Sequence, residues 1–185
     1  MSELQGMVVV VNGGTHGLGE ATVRSAAARG ASGLVIVGRS AEKGAALAAE
    51  LTAAGTESIY VQADMVDPAA PAAVIAAADA RFGVVHGLVN VAASTGRDNV
   101  WTADVDGWDT MQAVNVRAPF FLIQEAAKVM RREGVSGSMV NIGSVSGHGG
   151  QPFASRQTGI AGFRRYAVSH GPRHGLCARG LVYAG

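Results

Sequence analysis

The stretch that decides the fold of this 185-residue chain is Met7–Gly19, which reads MVVVVNGGTHGLG. Its first five residues, Met7–Val11, are all apolar and predict a strand that is buried on both faces. The turn that follows has glycines in the spacing G-x₃-G-x-G, and a helical pattern, Leu18–Arg29, begins inside it. A strand, a glycine-rich turn and a helix in this order are typical of a site for a dinucleotide phosphate.

Three glycines of this turn have predicted roles. Gly13 allows a sharp exit from the strand, Gly17 lets the backbone approach a pyrophosphate, and Gly19 lets the helix pack closely on the sheet. The first N–H groups of the helix and the partial positive charge of its N-terminus complete the phosphate site. A turn that is glycine-rich for purely structural reasons is the alternative, whereas a P-loop is excluded because no Gly-Lys-Ser/Thr follows. The predicted phosphate-binding residues are Gly13, Thr15, His16, Gly17, Leu18 and Gly19.

The rest of the sequence alternates short β-branched runs with longer alanine-rich helical patterns, which is typical of a parallel sheet covered on both faces. Further strands are predicted at Gly33–Val37, Ser58–Gln62, Gly87–Val91 and Ser138–Ile142. Helices are predicted from about Ala41 to Ala54, from Pro68 to Phe82 and, as one long helix, from Trp108 to Met130. The predicted fold class is therefore α/β, a Rossmann-type doubly wound parallel sheet of five strands in the order 3-2-1-4-5.

The end of the second predicted strand reads VIVGRS over Val35–Ser40 and indicates which dinucleotide is bound. A carboxylate at this point would bind the ribose 2′-hydroxyl of NAD, but the segment has no acidic residue. Arg39 offers a guanidinium that can bind a 2′-phosphate instead, and His16 offers a second partial charge in the turn. NADP is therefore the predicted cofactor and NAD the less favoured one, unless Arg39 is only a solvated residue at a strand end.

Several segments, in order along residues 7–155, resemble those of the short-chain dehydrogenase/reductase family. The first is the glycine-rich turn Asn12–Gly19, called the phosphate turn below, which has Asn12 in place of the family's Thr. The second similar segment is Asn90-Val91-Ala92-Ala93, which corresponds to the family's N-N-A-G. The others are Ala63-Asp64-Met65, Ala113-Val114-Asn115-Val116 and Asn141-Ile142-Gly143-Ser144-Val145-Ser146-Gly147.

The resemblance implies an enzyme that interconverts an alcohol and a ketone by hydride transfer with NADP, acts on a small-molecule carbonyl or alcohol, and can form a homo-oligomer. It implies that Asp64 contacts the adenine amino group, that Asn115 orients a water in the proton path, and that Ser144 stabilises the developing oxyanion. Each has a structural alternative, namely a turn acceptor, a buried helix amide and a strand-end cap. The implied site residues are Ser144 and Asn115 for catalysis and, beside the phosphate turn, Arg39, Asp64, Met65, Asn90 and Ala92 for cofactor binding.

The family's general acid and its cationic partner are missing at the expected spacing. In the family a Tyr follows the Ser by about thirteen residues and a Lys follows that Tyr by four, and these positions fall on Gln157 and Ala161. An amide cannot deliver a proton at neutral pH, and Ala has no charge that could bring a Tyr pKa of ~10 toward neutrality. Tyr166 and His170 have the same four-residue spacing nine residues later and form an alternative acid/base pair. The chain is therefore predicted to be impaired or inactive as an oxidoreductase.

The family-like pattern ends near Ser155, where the charge balance also changes. Residues 1–155 hold 10 Lys and Arg against 14 Asp and Glu, a net charge of −4, whereas residues 156–185 hold five Arg and no acid, a net charge of +5. Apart from an apolar run at Leu181–Ala184, this end of the sequence lacks the periodicity of regular elements. We interpret residues 1–155 as a Rossmann dinucleotide-binding domain and 156–185 as an atypical basic tail left by a frameshift or an internal deletion. The family's C-terminal part would then be missing, and the fifth strand would be an uncovered edge.

Composition argues against several other classes of protein. The formal net charge of +1 gives no pull toward nucleic acid, and no run approaches the roughly 18 apolar residues of a membrane span. A single cysteine, Cys177, cannot form an intramolecular disulfide, and the first residues lack a basic signal region. We therefore predict a cytoplasmic protein without a metal site. The rival to an NADP-dependent oxidoreductase is a non-catalytic dinucleotide-binding protein or a non-functional truncated product.

Overall fold

The computed structural model describes residues 3–96, 98, 101–144 and 177–183. The strands of this part are β1 (Val8–Asn12), β2 (Gly33–Gly38), β3 (Glu57–Gln62), β4 (Gly87–Asn90), β5 (Ser138–Ser144) and β6 (Cys177–Tyr183). The helices are α1 (Gly17–Ala28), α2 (Ala41–Ala53), α3 (Ala70–Phe82), α4 (Val105–Gln112) and α5 (Ala118–Arg132), and a π-helical turn, Ala113–Arg117, joins α4 to α5.

These strands form one parallel sheet in the order β3-β2-β1-β4-β5-β6. The chain therefore runs outward from β1 to β3, returns to the other side of β1, and continues outward from β4 to β6. This reversal at β1 is the mark of a doubly wound α/β fold. It confirms the predicted fold class and the predicted order of the first five strands.

Two hydrophobic cores cover the opposite faces of the sheet. Val10 belongs to the cluster that α3 and α5 cover, whereas its neighbours Val9 and Val11 belong to the cluster that α1 and α2 cover. Successive residues of a strand point to opposite faces, so the two helix pairs form separate layers with the sheet between them. All five residues of β1 are buried, which explains why its apolar run is unbroken.

Two predicted helices differ from the observed ones. α3 begins at Ala70 and not at Pro68, because Asp67 closes a turn in front of it: the Asp67 Oδ1 accepts a hydrogen bond from the Ala69 N–H at 2.9 Å. The single helix predicted for residues 108–130 consists of the end of α4, the π-helical turn and most of α5. A π-helical turn inside an α-helix frequently marks a functional site.

The prediction that β5 is an uncovered edge strand is wrong. β6 lies in the stretch interpreted as a foreign tail, and all seven of its residues pair in parallel with β5. The sequence signal for this strand is weak because Arg179 and Gly180 interrupt its apolar residues, whereas the backbone ladder does not depend on side chains. The tail thus adds a strand to the same sheet, and its origin in a frameshift or an internal deletion stays a prediction. A domain boundary at residue 155 stays a prediction.

We expect the α5 layer to carry much of the stability. Leu122 is fully buried, so Leu122→Ala should lower the free energy of unfolding by about 2–5 kcal/mol through lost burial and a residual cavity. Gln124→Ala, an exposed change on the same helix, should stay within about 0.5 kcal/mol. Urea denaturation of both variants measures the difference, and equal midpoints would contradict the assignment of α5 to the core.

Candidate functional site

The predicted site residues gather at the carboxyl ends of the strands. β1 pairs with β2 on one side and with β4 on the other, and the chain leaves β1 toward β2. In a doubly wound sheet the loops on the two sides of such a reversal diverge and open a crevice, where ligands of open α/β sheets bind. The loops that follow β1, β2, β3 and β4 all lie at this edge.

The turn after β1 is held by backbone groups from both neighbouring strands. The N–H groups of Gly13 and Gly14 both donate to the Val37 carbonyl of β2, at 3.0 and 2.9 Å, and the Ala92 N–H beyond β4 donates to the Asn12 carbonyl at 3.0 Å. Gly13 has a φ of +86°, and a Cβ there would lie 2.6 Å from the Ala92 nitrogen. The sharp exit predicted for Gly13 is observed, and the residue also gives Ala92 the space to approach.

Gly19 and Gly17 leave room for different groups. A Cβ on Gly19 would lie 1.9 Å from the Gly13 carbonyl oxygen, so Gly19 lets α1 pack on the turn itself and not, as predicted, on the sheet. Gly17 has a φ of +53°, and a Cβ there would meet no atom within 4 Å. The space in front of Gly17 is therefore open for a group that approaches the backbone.

The N-terminus of α1 faces this open space with its N–H groups uncapped. His16 occupies the N-cap position in an extended conformation, and its side chain makes no capping hydrogen bond. The first N–H groups of a helix have no partner within it and carry a partial positive charge. The acid of the first turn, Glu20, is bound by Arg24 at 2.9 Å. His16, Gly17 and Leu18 are exposed, as a phosphate-binding segment requires.

Thr15 differs from its exposed neighbours because it is buried. Its side chain packs against the end of β2, where a Cβ on Gly38 would lie 2.6 Å from the Thr15 Oγ1. The side chain of Thr15 thus fixes the distance between the phosphate turn and the end of β2. Only the backbone of Thr15 contributes to the open side of the turn.

Arg39 has a backbone held by hydrogen bonds and an exposed guanidinium. The Tyr60 hydroxyl donates to the carbonyl of the preceding residue, Gly38, at 2.8 Å, and the Gln62 Nε2 donates to the Arg39 carbonyl at 3.2 Å. The side chain is exposed, and its guanidinium forms no ion pair or hydrogen bond with the residues that the structure describes. A cation is therefore available beside the phosphate turn.

The loop after β3 presents Asp64 but not the side chain of Met65. The Asp64 Oδ1 accepts a hydrogen bond from the Val66 N–H at 3.0 Å, which closes a turn and leaves the exposed carboxylate at the crevice edge. Met65 is only 4% exposed and belongs to the core that α3 and α5 cover. Met65 can therefore offer a nucleotide its backbone and not its thioether.

Three asparagines form a ladder across the ends of β1, β4 and β5. The Asn12 Nδ2 donates to the Asn90 Oδ1 at 3.4 Å, and the Asn90 Nδ2 donates to the Asn141 Oδ1 at 2.8 Å. Asn12 and Asn90 are buried, so these bonds satisfy groups that would be costly to bury alone. Because the Asn90 amide oxygen and nitrogen both bind neighbouring asparagines, Asn90 holds the ends of β1, β4 and β5 together at the bottom of the crevice.

Asn115 is held in the π-helical turn by a two-point contact. Its Oδ1 accepts from the Ser94 N–H and its Nδ2 donates to the Ser94 carbonyl, both at 2.8 Å. This contact draws the loop after β4 toward the π-helical turn. The buried helix amide that the sequence left as an alternative is therefore what the structure shows for this side chain. Ser144 is the last residue of β5.

Sequence reasoning missed two contributors to this edge. Ser94 follows the quoted N-N-A-G-like segment, but nothing in its local sequence indicates a partner 21 residues away. Arg117 donates a hydrogen bond to the Val66 carbonyl across 51 residues of sequence. The positions predicted for the general acid and its partner, Gln157 and Ala161, lie outside the described residues, as do Tyr166 and His170.

An uncapped helix behind a glycine turn, at the reversal point of a parallel sheet, defines an α/β protein of the Rossmann type. The family model described as short chain dehydrogenase matches residues 7–158, and the chain belongs to this family.

Two relatives of this chain are a dehydrogenase and a reductase by name. The chain is 32% identical over 156 residues to a 3beta-hydroxysteroid dehydrogenase of Mediterraneibacter gnavus, a match that covers 84% of this chain and 55% of that protein. It is 32% identical over 175 residues to a levodione reductase of Leifsonia aquatica, covering 91% of this chain and 65% of that one. The chain thus spans between half and two thirds of the length of these relatives.

A solved structure with the same fold contains a dinucleotide. It is a metagenomic short-chain oxidoreductase in complex with NADP, which superposes with a TM-score of 0.88 at 28% identity and covers 98% of this chain and 84% of that one. Among the helices in the described part of this chain, none is both long and apolar enough to span a membrane.

The contact between Gly19 and Gly13 gives a prediction about stability. Gly→Ala in a helix is ordinarily favourable, but Gly19→Ala should lower the free energy of unfolding by about 3 kcal/mol, because the new methyl group meets backbone. Gly55→Ala is the control, since its φ of +97° costs about 1–2 kcal/mol and a Cβ there meets no atom. Urea denaturation compares the two, and a stabilised Gly19→Ala variant would contradict the packing described here.

Proposed function

We propose that the chain is an NADP-dependent oxidoreductase of the short-chain dehydrogenase/reductase type, built to transfer hydride between an alcohol and a ketone. The observation that carries the proposal is the uncapped N-terminus of α1 behind the open face of Gly17, with the free guanidinium of Arg39 beside it. The diphosphate would lie at the first N–H groups of α1, and the adenosine would extend toward β3.

The preference for NADP rests on Arg39. Two side chains of β3 bind the carbonyls of Gly38 and Arg39, which fixes the point from which the exposed guanidinium can reach a 2′-phosphate. No carboxylate stands in the segment that ends β2, where an acid would bind the 2′-hydroxyl of NAD. The NADP in the metagenomic relative supports the same choice.

Arg39→Ala should remove the preference for NADPH over NADH. A charge-assisted contact of this kind contributes about 1.5–3 kcal/mol, so the unchanged chain should bind NADPH roughly 10- to 100-fold more tightly. The variant should bind both cofactors alike, while Arg131→Ala, an exposed change on α5, should keep the preference. Calorimetric titration of the three proteins measures this, and a preference for NADH in the unchanged chain would refute the proposal for Arg39.

The catalytic side of the proposal assigns different tasks to Ser144 and Asn115. A bound dinucleotide supplies or accepts the hydride. Ser144, at the carboxyl end of β5, would stabilise the developing oxyanion of the carbonyl substrate. The side chain of Asn115 is committed to Ser94, so we propose that it acts by fixing the loop after β4 and by shaping the π-helical turn.

The described residues offer no evident general acid that could donate a proton to the carbonyl oxygen. Of its three tyrosines, Tyr60 donates its hydroxyl to the Gly38 carbonyl, and burial raises the pKa of this phenol further from neutrality. Its two lysines are Lys43 on α2 and Lys128, which pairs with Glu125 on the exposed side of α5. Lys128 lies about 20 Å along the helix from Asn115, so it cannot serve a Tyr at the crevice.

We therefore expect the purified chain to be close to silent toward small ketones and secondary alcohols, even when cofactor is bound. A positioned general acid contributes about 10²–10⁴-fold, and loss of its cationic partner compounds the deficit. NADPH oxidation against a panel of carbonyl compounds measures the activity, with Ser144→Ala as a matched variant. Robust turnover that Tyr166→Phe abolishes would show that a displaced Tyr supplies the proton and would overturn this expectation.

A non-catalytic dinucleotide-binding protein is the second candidate. The absence of Tyr-x₃-Lys at the expected spacing favours it, since the phosphate turn and Arg39 do not depend on that pair. Tight NADPH binding without turnover would support this candidate, whereas turnover would support the enzyme.

A further inference from the structure

Arg117 links two segments that are far apart in the sequence. It is the last residue of the π-helical turn, and its Nη2 donates a hydrogen bond to the Val66 carbonyl in the loop between β3 and α3. The same loop carries Asp64, the residue proposed for the adenine end of the cofactor. A helical side chain thus reaches the loop that would border the adenine.

The loop, Asp64–Asp67, is otherwise closed by short-range bonds within itself. The Val66 N–H donates to the Asp64 Oδ1 at 3.0 Å, and the Asp67 N–H donates to the Asp64 carbonyl at 3.0 Å. The side chain of Met65 anchors one side of it in the core. These contacts fix the local shape of the loop, and the bond from Arg117 fixes its position relative to the π-helical turn.

The π-helical turn thereby holds two loops at once. Asn115 binds the backbone of Ser94 after β4, and Arg117, two residues later, binds the backbone of Val66 after β3. Residues two positions apart on a helix do not face each other, so one short turn can reach two separate loops. Both loops border the same carboxyl edge of the sheet.

We propose that Arg117 is a positioning residue that holds the Asp64 loop in the conformation that receives the adenine end of NADP. This inference rests on the proposed function and assigns to Arg117 a task that neither Asp64 nor the phosphate turn performs. Arg suits the task because its long side chain ends in a planar fork of donors that can meet a backbone carbonyl at a distance.

The first test measures the loop without any ligand. Hydrogen exchange of a peptide covering residues 63–70 should be faster in Arg117→Met than in the unchanged chain. Without the bond from Arg117 the loop opens more often, which exposes the amides of Val66 and Asp67 to exchange. Arg117→Lys should fall between the two. Arg131→Met, an exposed change on α5, should leave exchange in this peptide unchanged. Unaltered exchange in Arg117→Met, or faster exchange spread evenly over the whole chain, would overturn the positioning role.

The second test uses adenosine 2′,5′-bisphosphate, which has the adenine end of NADP but no nicotinamide. Arg117→Met should bind it about tenfold more weakly than the unchanged chain does, while Arg131→Met should bind it equally well. Equal binding by Arg117→Met and the unchanged chain would overturn the inference and leave the proposed function standing. Failure of the unchanged chain to bind either this compound or NADPH would overturn the proposed function, and the inference with it.

Discussion

The site depends on a backbone contact between two glycines. A Cβ on Gly19 would lie 1.9 Å from the Gly13 carbonyl oxygen, so α1 can start where it does only because Gly19 has no side chain. The contact points the N-terminus of α1 into the crevice at the reversal of the sheet. Because Gly13 and Gly14 also donate to Val37, the same turn is tied to the end of β2. The phosphate turn and Arg39 are therefore fixed relative to each other.

Buried polar groups make the floor of the crevice rigid. The amides of Asn12, Asn90 and Asn141 bond to one another across three strands, and Asn115 uses both ends of its amide on Ser94. Buried amides need such partners, and these bonds fix the orientation of each amide. The described asparagines of this edge hold its shape, whereas Arg39 and Asp64 present exposed charged side chains to a ligand.

The sequence predicts those parts of the fold that are determined by neighbouring residues along the chain. The strand of Val8–Val11 and the turn at Gly13–Gly19 follow from apolar runs and from glycine spacing, and the first five strands lie in the predicted order. β6 was missed because Arg179 and Gly180 weaken its pattern, while its pairing is a backbone ladder with β5. The contacts of Asn115 and Arg117 join residues 21 and 51 positions apart, and no local periodicity carries such information. Thr15 and Met65 were placed in the right loops, but only the structure shows that their side chains are buried.

We propose that the first turn of α1 receives the diphosphate of NADP. Amide chemical shifts of the isotope-labelled chain, recorded during titration with NADP, test it most directly. We expect the largest shifts at the amides of Gly17, Leu18 and Gly19, where uncapped N–H groups meet the open face of the turn. Saturation of the chain with NADP without a change in the shifts of these three amides would show that the diphosphate binds elsewhere.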